Sequence, residues 1–144
     1  MTREDLNDRT REEWRELGFF YEYDESNSRW RLVGSQQGLL KFCDILDEYV
    51  VDEKKASISE HEHYGPYRYL KLVTWTEALI TRHDIRGTLE DFIRFADLTK
   101  RKLKKAAVGD KFVIDVEYSP KNEAKILFEI KAEDFDAATE DPLV

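Results

Sequence analysis

The residues best equipped for chemistry sit together in Glu60-His61-Glu62-His63-Tyr64-Gly65-Pro66-Tyr67. Two of the chain's three histidines stand two apart, which places both imidazoles on one side of an extended segment. Such a pair can chelate Zn²⁺ or a similar transition ion, with Glu60 or the distant His83 as third ligand. The metal reading therefore names His61, His63 and His83, and it would make the chain a small metal- or ligand-binding enzyme. The plainer reading gives these histidines ordinary hydrogen bonds, while Gly65-Pro66 shapes a turn.

The same segment also reads as a recognition surface. His61, His63, Tyr64, Tyr67, Arg68 and Tyr69 include the residue types that dominate binding hot spots. Tyrosine brings apolar area and a hydroxyl at low entropic cost. Other chemistry is thinly represented. Cys43 lies on the apolar stripe of a helix with Phe42 and Leu46, where a thiol is inert. Gly34-Ser35-Gln36-Gln37-Gly38 leaves a strand and opens a helix, a place where anions can bind, but it lacks the lysine of a P-loop. No nucleophile elbow is present, so the expectation is a protein without catalytic residues. Lys100-Arg101-Lys102-Leu103-Lys104-Lys105 closes a helix, where positive charge complements the dipole.

The elements that must position these residues follow from periodicity. Thr10-Arg11-Glu12-Glu13 reads as a capping box for a short N-terminal helix ending at Gly18, with residues 1–9 loose. Residues 19–33 alternate around Glu25-Ser26-Asn27-Ser28 and read as a hairpin. Ser35 caps a helix with apolar Leu39, Phe42, Cys43, Leu46 and Tyr49 on one stripe. Residues 57–68 show no helical period and read as a long irregular loop, and 69–75 as a strand inside a sheet, because both of its faces are bulky. A short strand pair around Leu79-Ile80 and Ile85 follows. Thr88 caps the longest helix, and a last hairpin spans Phe112 to Ile130. Residues 136–144 read as a flexible acidic tail.

The expected class is α+β: a largely antiparallel sheet of about five to six strands, two main helices on one face, and the short N-terminal helix. The order shows no internal repeat and no Gly-, Ser- or Pro-rich linker, so residues 1–144 read as one domain.

Composition bounds the partners. There are 31 acidic against 23 basic residues, a formal net charge of -8, which argues against general nucleic-acid binding by phosphate neutralisation. An acidic surface could instead mimic nucleic acid. Aromatics at 12% are too many for a disordered acidic tail. No apolar run approaches the ~18 residues of a membrane span, so no membrane is expected as partner. The one cysteine suits a cytoplasmic protein.

Three stretches carry a resemblance: Trp30-Arg31-Leu32-Val33-Gly34-Ser35-Gln36-Gln37-Gly38-Leu39-Leu40, then Ser59 to Tyr67, then Gly87-Thr88-Leu89-Glu90-Asp91. Over about residues 19–105 the chain resembles small uncharacterised bacterial proteins grouped with the immunity proteins of polymorphic toxin systems. The resemblance implies a cytosolic protein that neutralises a cognate toxin by binding it. The expected partner is then a protein, such as a basic toxin, drawn in by complementary charge.

Overall fold

The computed structural model describes residues 1–144. Helix α1 runs Arg3–Leu17, well upstream of the expected Thr10 start. Its cap is Thr2, whose hydroxyl accepts from the Asp5 amide while the Asp5 carboxylate accepts from the Thr2 amide. Thr10 sits mid-helix and donates its hydroxyl to the Leu6 carbonyl at 3.0 Å. Thr-x-x-Asp and Thr-x-x-Glu are both capping signatures, and the apolar residue that anchors the helix, Trp14, lies too far along to choose between them. Residues expected to be a loose lead are thus the first turns of α1.

After Gly18, in left-handed backbone at φ 91°, come β1 (Phe20–Asp24), β2 (Arg29–Ser35) and α2 (Gln36–Val51). Then follow β3 (His61–Tyr64), β4 (Leu70–Thr74), β5 (Leu79–Ile80) and β6 (Ile85–Gly87). Helix α3 (Leu89–Lys105), β7 (Lys111–Ile114) and β8 (Lys125–Lys131) complete the regular structure. The caps fall where expected: Ser35 accepts from Gly38, and Thr88 and Asp91 form a reciprocal box. Each is worth about 1 kcal/mol. The supposed irregular loop contains a strand, so His61 and His63 sit on regular β structure.

The class is α+β, but the sheet arrangement differs from expectation. Eight strands form two four-stranded mixed sheets, ordered β1-β2-β8-β7 and β3-β4-β6-β5. In each, two antiparallel hairpins join through a parallel inner pair, β2 with β8 and β4 with β6. Alternation reveals hairpins and faces, yet not which hairpins lie side by side. The inner position expected for β4 is observed.

This arrangement uncovers an internal repeat. Both β1-β2-α2-β3-β4 and β5-β6-α3-β7-β8 have the order ββαββ, and each sheet takes its first hairpin from one half and its second from the other. Gly34-Ser35 corresponds to Gly87-Thr88 at the strand-to-helix junction. Leu40/Ile93, Lys41/Arg94, Phe42/Phe95, Cys43/Ala96, Asp44/Asp97 and Ile45/Leu98 then match in order. Backbone geometry repeats as well. Ser59 donates its amide to the Thr74 carbonyl and Thr74 donates to Glu60, as Gly109 donates to Ile130 and Ile130 to Asp110. Ser59 and Gly109 both have positive φ, 75° and 93°. The repeat is invisible to a search for similar strings because only the junction and helix retain it.

Helix α2 lies against β2 and β8, α3 against β6, and the helices pack on each other. One hydrophobic core of 28 buried residues draws on both halves, so neither half has a core of its own. No helix is long and apolar enough to cross a membrane.

Candidate functional site: an aromatic cleft

Strands β1 and β2 bring a group of large aromatics to one edge of the core. Phe20, Tyr21 and Trp30 are buried, and Tyr23 is half-buried beside Trp30, with ring centroids 5.5 Å apart. Trp14 reaches in from α1, its ring centroid 4.9 Å from Phe20 and 5.2 Å from Tyr21. These rings floor a cleft of about 510 Å³. Its walls are Tyr67 and Tyr69 from the β3–β4 turn, Arg82 and His83 from the β5–β6 turn, and Asp141 to Leu143 near the C-terminus. Such a volume fits the usual range of ligand sites.

The β3–β4 turn is held by Tyr21. Its hydroxyl donates to the Pro66 carbonyl and accepts from the Tyr69 amide at 3.1 Å. Burial raises the pKa of that hydroxyl above the ordinary tyrosine value, so it remains a donor. Gly65 has φ 75° and ψ -179°, a region open only to glycine, and a Cβ there would lie 2.8 Å from the Tyr21 ring and 2.9 Å from Leu17. Tyr67 and Arg68 follow with φ 64° and 59°, two consecutive bulky residues in left-handed backbone. That conformation costs of order 1–3 kcal/mol per residue. It stacks the rings of Tyr67 and Tyr69, centroids 6.0 Å apart and 29° between planes. Tyr69 is 69% exposed.

Asp141 fixes the opposite wall. Its Oδ2 accepts from Trp14 Nε1 at 2.8 Å and from the Tyr67 hydroxyl at 2.6 Å, and its Oδ1 accepts from the Leu143 amide at 2.9 Å. Asp141 is buried, yet all three donors are neutral and no Lys, Arg or His pairs with it. The other acids of the cleft are compensated: Glu22 by Arg31 at 2.6 Å, Glu25 by Arg82. Burial raises the Tyr67 pKa, and the adjacent Asp141 carboxylate adds to the effect. The cleft thus carries a negative charge without a counter-cation. Its own Arg82 guanidinium lies 6.0 Å from the Tyr23 ring centroid, a cation already placed over an aromatic face.

The second half shows that this cleft is no automatic consequence of the fold. Tyr21 corresponds to Ile80 by strand register. There the β7–β8 connection closes directly onto the strand: the Glu123 and Ala124 amides donate to the Ile80 carbonyl, and Asn122 Oδ1 accepts from the Ile80 amide. One end is plugged by backbone, whereas the other is propped open by a phenol.

Of the expected recognition residues, Tyr67 and Tyr69 line the cleft. Arg68 lies instead beside Glu13, Glu16 and Gly65 in a shallow groove, and Tyr64 packs beside Leu17 and Lys41. His61 and His63 are together on β3, with ring centroids 5.3 Å apart. His83 is not with them: it lines the cleft from the turn at the other edge of that sheet. Trp14, Tyr21, Tyr23, Trp30 and Asp141 were not expected as site residues. The density of aromatics in Phe19-Phe20-Tyr21-Glu22-Tyr23 was a usable signal. Asp141, remote in sequence from Trp14, left none.

Two other expectations have physical answers. Cys43 is buried, and burial pushes its thiol up to about 12, which keeps it protonated. At the Gly34-Ser35 junction the Gly38 amide donates to Ser35 Oγ at 3.0 Å, and the Gly18 carbonyl packs so close to Gly38 that no Cβ would fit there. In the basic run, Lys100 pairs with Asp47 at 2.7 Å and Lys102 with Glu117 at 3.1 Å. The C-terminal stretch, expected as a flexible tail, meets α1 through Arg15–Asp136 at 3.1 Å and through Trp14–Asp141.

No protein-family model matches the chain, and no curated protein or solved structure matches it either.

Proposed function

We propose that the protein is a non-enzymatic binding module whose aromatic cleft receives a basic side chain of a protein partner, in the manner of a cytoplasmic bacterial immunity protein that neutralises a toxin. The observation that carries this reading is the pairing of an exposed, strained Tyr67–Tyr69 stack with the uncompensated Asp141 carboxylate. A lysine or arginine entering there gains aromatic faces and a counter-charge together. The formal net charge of -8 favours encounter with a basic partner. A small neutral ligand would leave the Asp141 charge unanswered.

The test compares wild type with Tyr69→Ala, which removes an exposed ring and keeps the amide bonded to Tyr21. Each is used as bait in its native host at low salt. The expected result is a stoichiometric basic protein bound to wild type, released by salt, and bound at least about tenfold more weakly by Tyr69→Ala. Co-expression of that partner with wild type should restore growth that the partner alone arrests, and Tyr69→Ala should restore it poorly. A partner that is acidic, or that binds both baits equally, would overturn the reading.

A further inference from the structure

The histidine pair on β3 is held by two backbone carbonyls at a fixed separation. β3 is the outermost strand of its sheet, so its outer edge is unpaired. His61 Nδ1 lies 3.1 Å from the Ser59 carbonyl oxygen, and His63 Nδ1 lies 2.9 Å from the Arg68 carbonyl oxygen. A carbonyl can only accept, so each neutral ring carries its proton on Nδ1 and presents Nε2 as a lone pair. Metal-binding histidines show this same arrangement, with one ring nitrogen donating to a carbonyl and the other free for the ion.

Spacing agrees. With metal–nitrogen bonds of about 2.0–2.1 Å and a tetrahedral angle, two imidazole centres sharing one ion lie about 5.2 Å apart. The observed separation is 5.3 Å. Both accepting carbonyls belong to residues in left-handed backbone, Ser59 at φ 75° and Arg68 at φ 59°. Strained backbone therefore aims both acceptors. The second half provides the contrast: by register, His61 corresponds to Lys111 and His63 to Val113, and no imidazole is present there.

We propose that His61 and His63 form a site for a divalent transition ion, Zn²⁺ by the tetrahedral spacing, bound through their two Nε2 atoms, with Cu²⁺ and Ni²⁺ serving as probes of the same pair. No third His, Cys, Asp or Glu completes a cluster, so water fills the remaining positions of the ion. The Arg68 carbonyl that orients His63 is in the same turn as Tyr67 and Tyr69. An ion on Nε2 makes Nδ1–H a stronger donor and tightens that bond.

The experiment titrates tag-free protein with Cu²⁺, Ni²⁺ and Zn²⁺ by calorimetry and records the electron paramagnetic resonance spectrum of the Cu²⁺ form. One ion per chain is expected, with two imidazole nitrogens on copper. His61→Ala and His63→Ala should each weaken binding by at least about tenfold, while His83→Ala should not change it. Because copper on the unaltered chain reports its nitrogens directly, a misfolded variant cannot obscure the answer. Absence of binding, a single imidazole on copper, or affinity indifferent to both His61→Ala and His63→Ala would overturn the proposal. None of these outcomes depends on whether the cleft binds a basic protein.

Discussion

Phe42 and Phe95 hold the same position in the two halves of the chain, and they meet each other edge to face, ring centroids 5.8 Å apart at 70°. Each is fully buried. The contact joins α2 to α3 at the point where the halves are related, so a residue and its counterpart pack together across the repeat. Phe42 also touches Phe19 and Phe128, at 5.9 and 6.0 Å.

Phe42→Ala should therefore be among the most damaging substitutions. Removing a fully buried ring costs about 3–5 kcal/mol. Urea unfolding should show the midpoint falling with an unchanged slope. A loss below about 1 kcal/mol would mean that the helix contact is not structural in the way described.

Gly65 and Gly109 separate two causes of glycine dependence. Both have positive φ, but nothing lies within 4 Å of a Cβ built on Gly109, whereas one on Gly65 meets Tyr21 and Leu17. Gly109→Ala should cost about 1 kcal/mol from backbone strain alone. Gly65→Ala should cost more and should disturb tryptophan fluorescence through Tyr21 and Trp14. Equal losses in thermal unfolding would contradict the packing around Tyr21.

Asp141→Ala deprives Trp14 Nε1 and the Tyr67 hydroxyl of their acceptor. A buried donor left unsatisfied costs about 1–3 kcal/mol. Asp141→Asn keeps an acceptor oxygen while removing the charge, so it should retain most of the stability and lose most of the preference for basic partners. Chemical denaturation followed by tryptophan fluorescence, alongside binding of a lysine-rich peptide, measures both. If Asn and Ala behave alike in both assays, the carboxylate has no role as a counter-charge.

Cys43 sets an alkaline limit. Its folded pKa is raised to about 12 by burial, while an unfolded thiol titrates near 8.5. The sign follows: its contribution is intact below the unfolded value and is lost progressively as pH rises from there toward about 12, because only the unfolded chain gains from ionising. Cys43→Ala, which copies Ala96 of the other half, should flatten the alkaline decline in a series of thermal unfolding curves between pH 8 and pH 10. Native Cys43 should also resist thiol reagents until the chain unfolds.

The local features were readable from the chain, and the long-range ones were not. Ser35 and Thr88 announced their helices, and Arg29-Trp30-Arg31-Leu32 announced its strand, because caps and alternation depend on neighbours in sequence. The His61–Tyr64 strand escaped because both its partner and its strained flanks lie outside the four residues themselves. Tyr67 and Tyr69 could be singled out by type. Their role as walls could not, since the floor comes from Trp14 and Trp30 and the brace from Asp141. The repeat was hidden for a related reason: its evidence lies in which strands pair, and the strings agree only around Gly34 and Gly87.

The exchange of hairpins between halves has a consequence for how the chain reaches its native state. Arg29 pairs with Lys125 and Leu72 with Ile85, so the first sheet cannot be completed until the last strand is in place. During synthesis β2 waits with one edge unpaired while nearly the whole chain emerges. Contacts of such long sequence separation slow the search for the native topology. The β3–β4 hairpin and the adjacent β5–β6 hairpin are close in sequence and free to assemble early. The second sheet thus joins its halves through neighbouring stretches of chain, whereas the sheet that floors the aromatic cleft depends on the longest-range pairing in the fold.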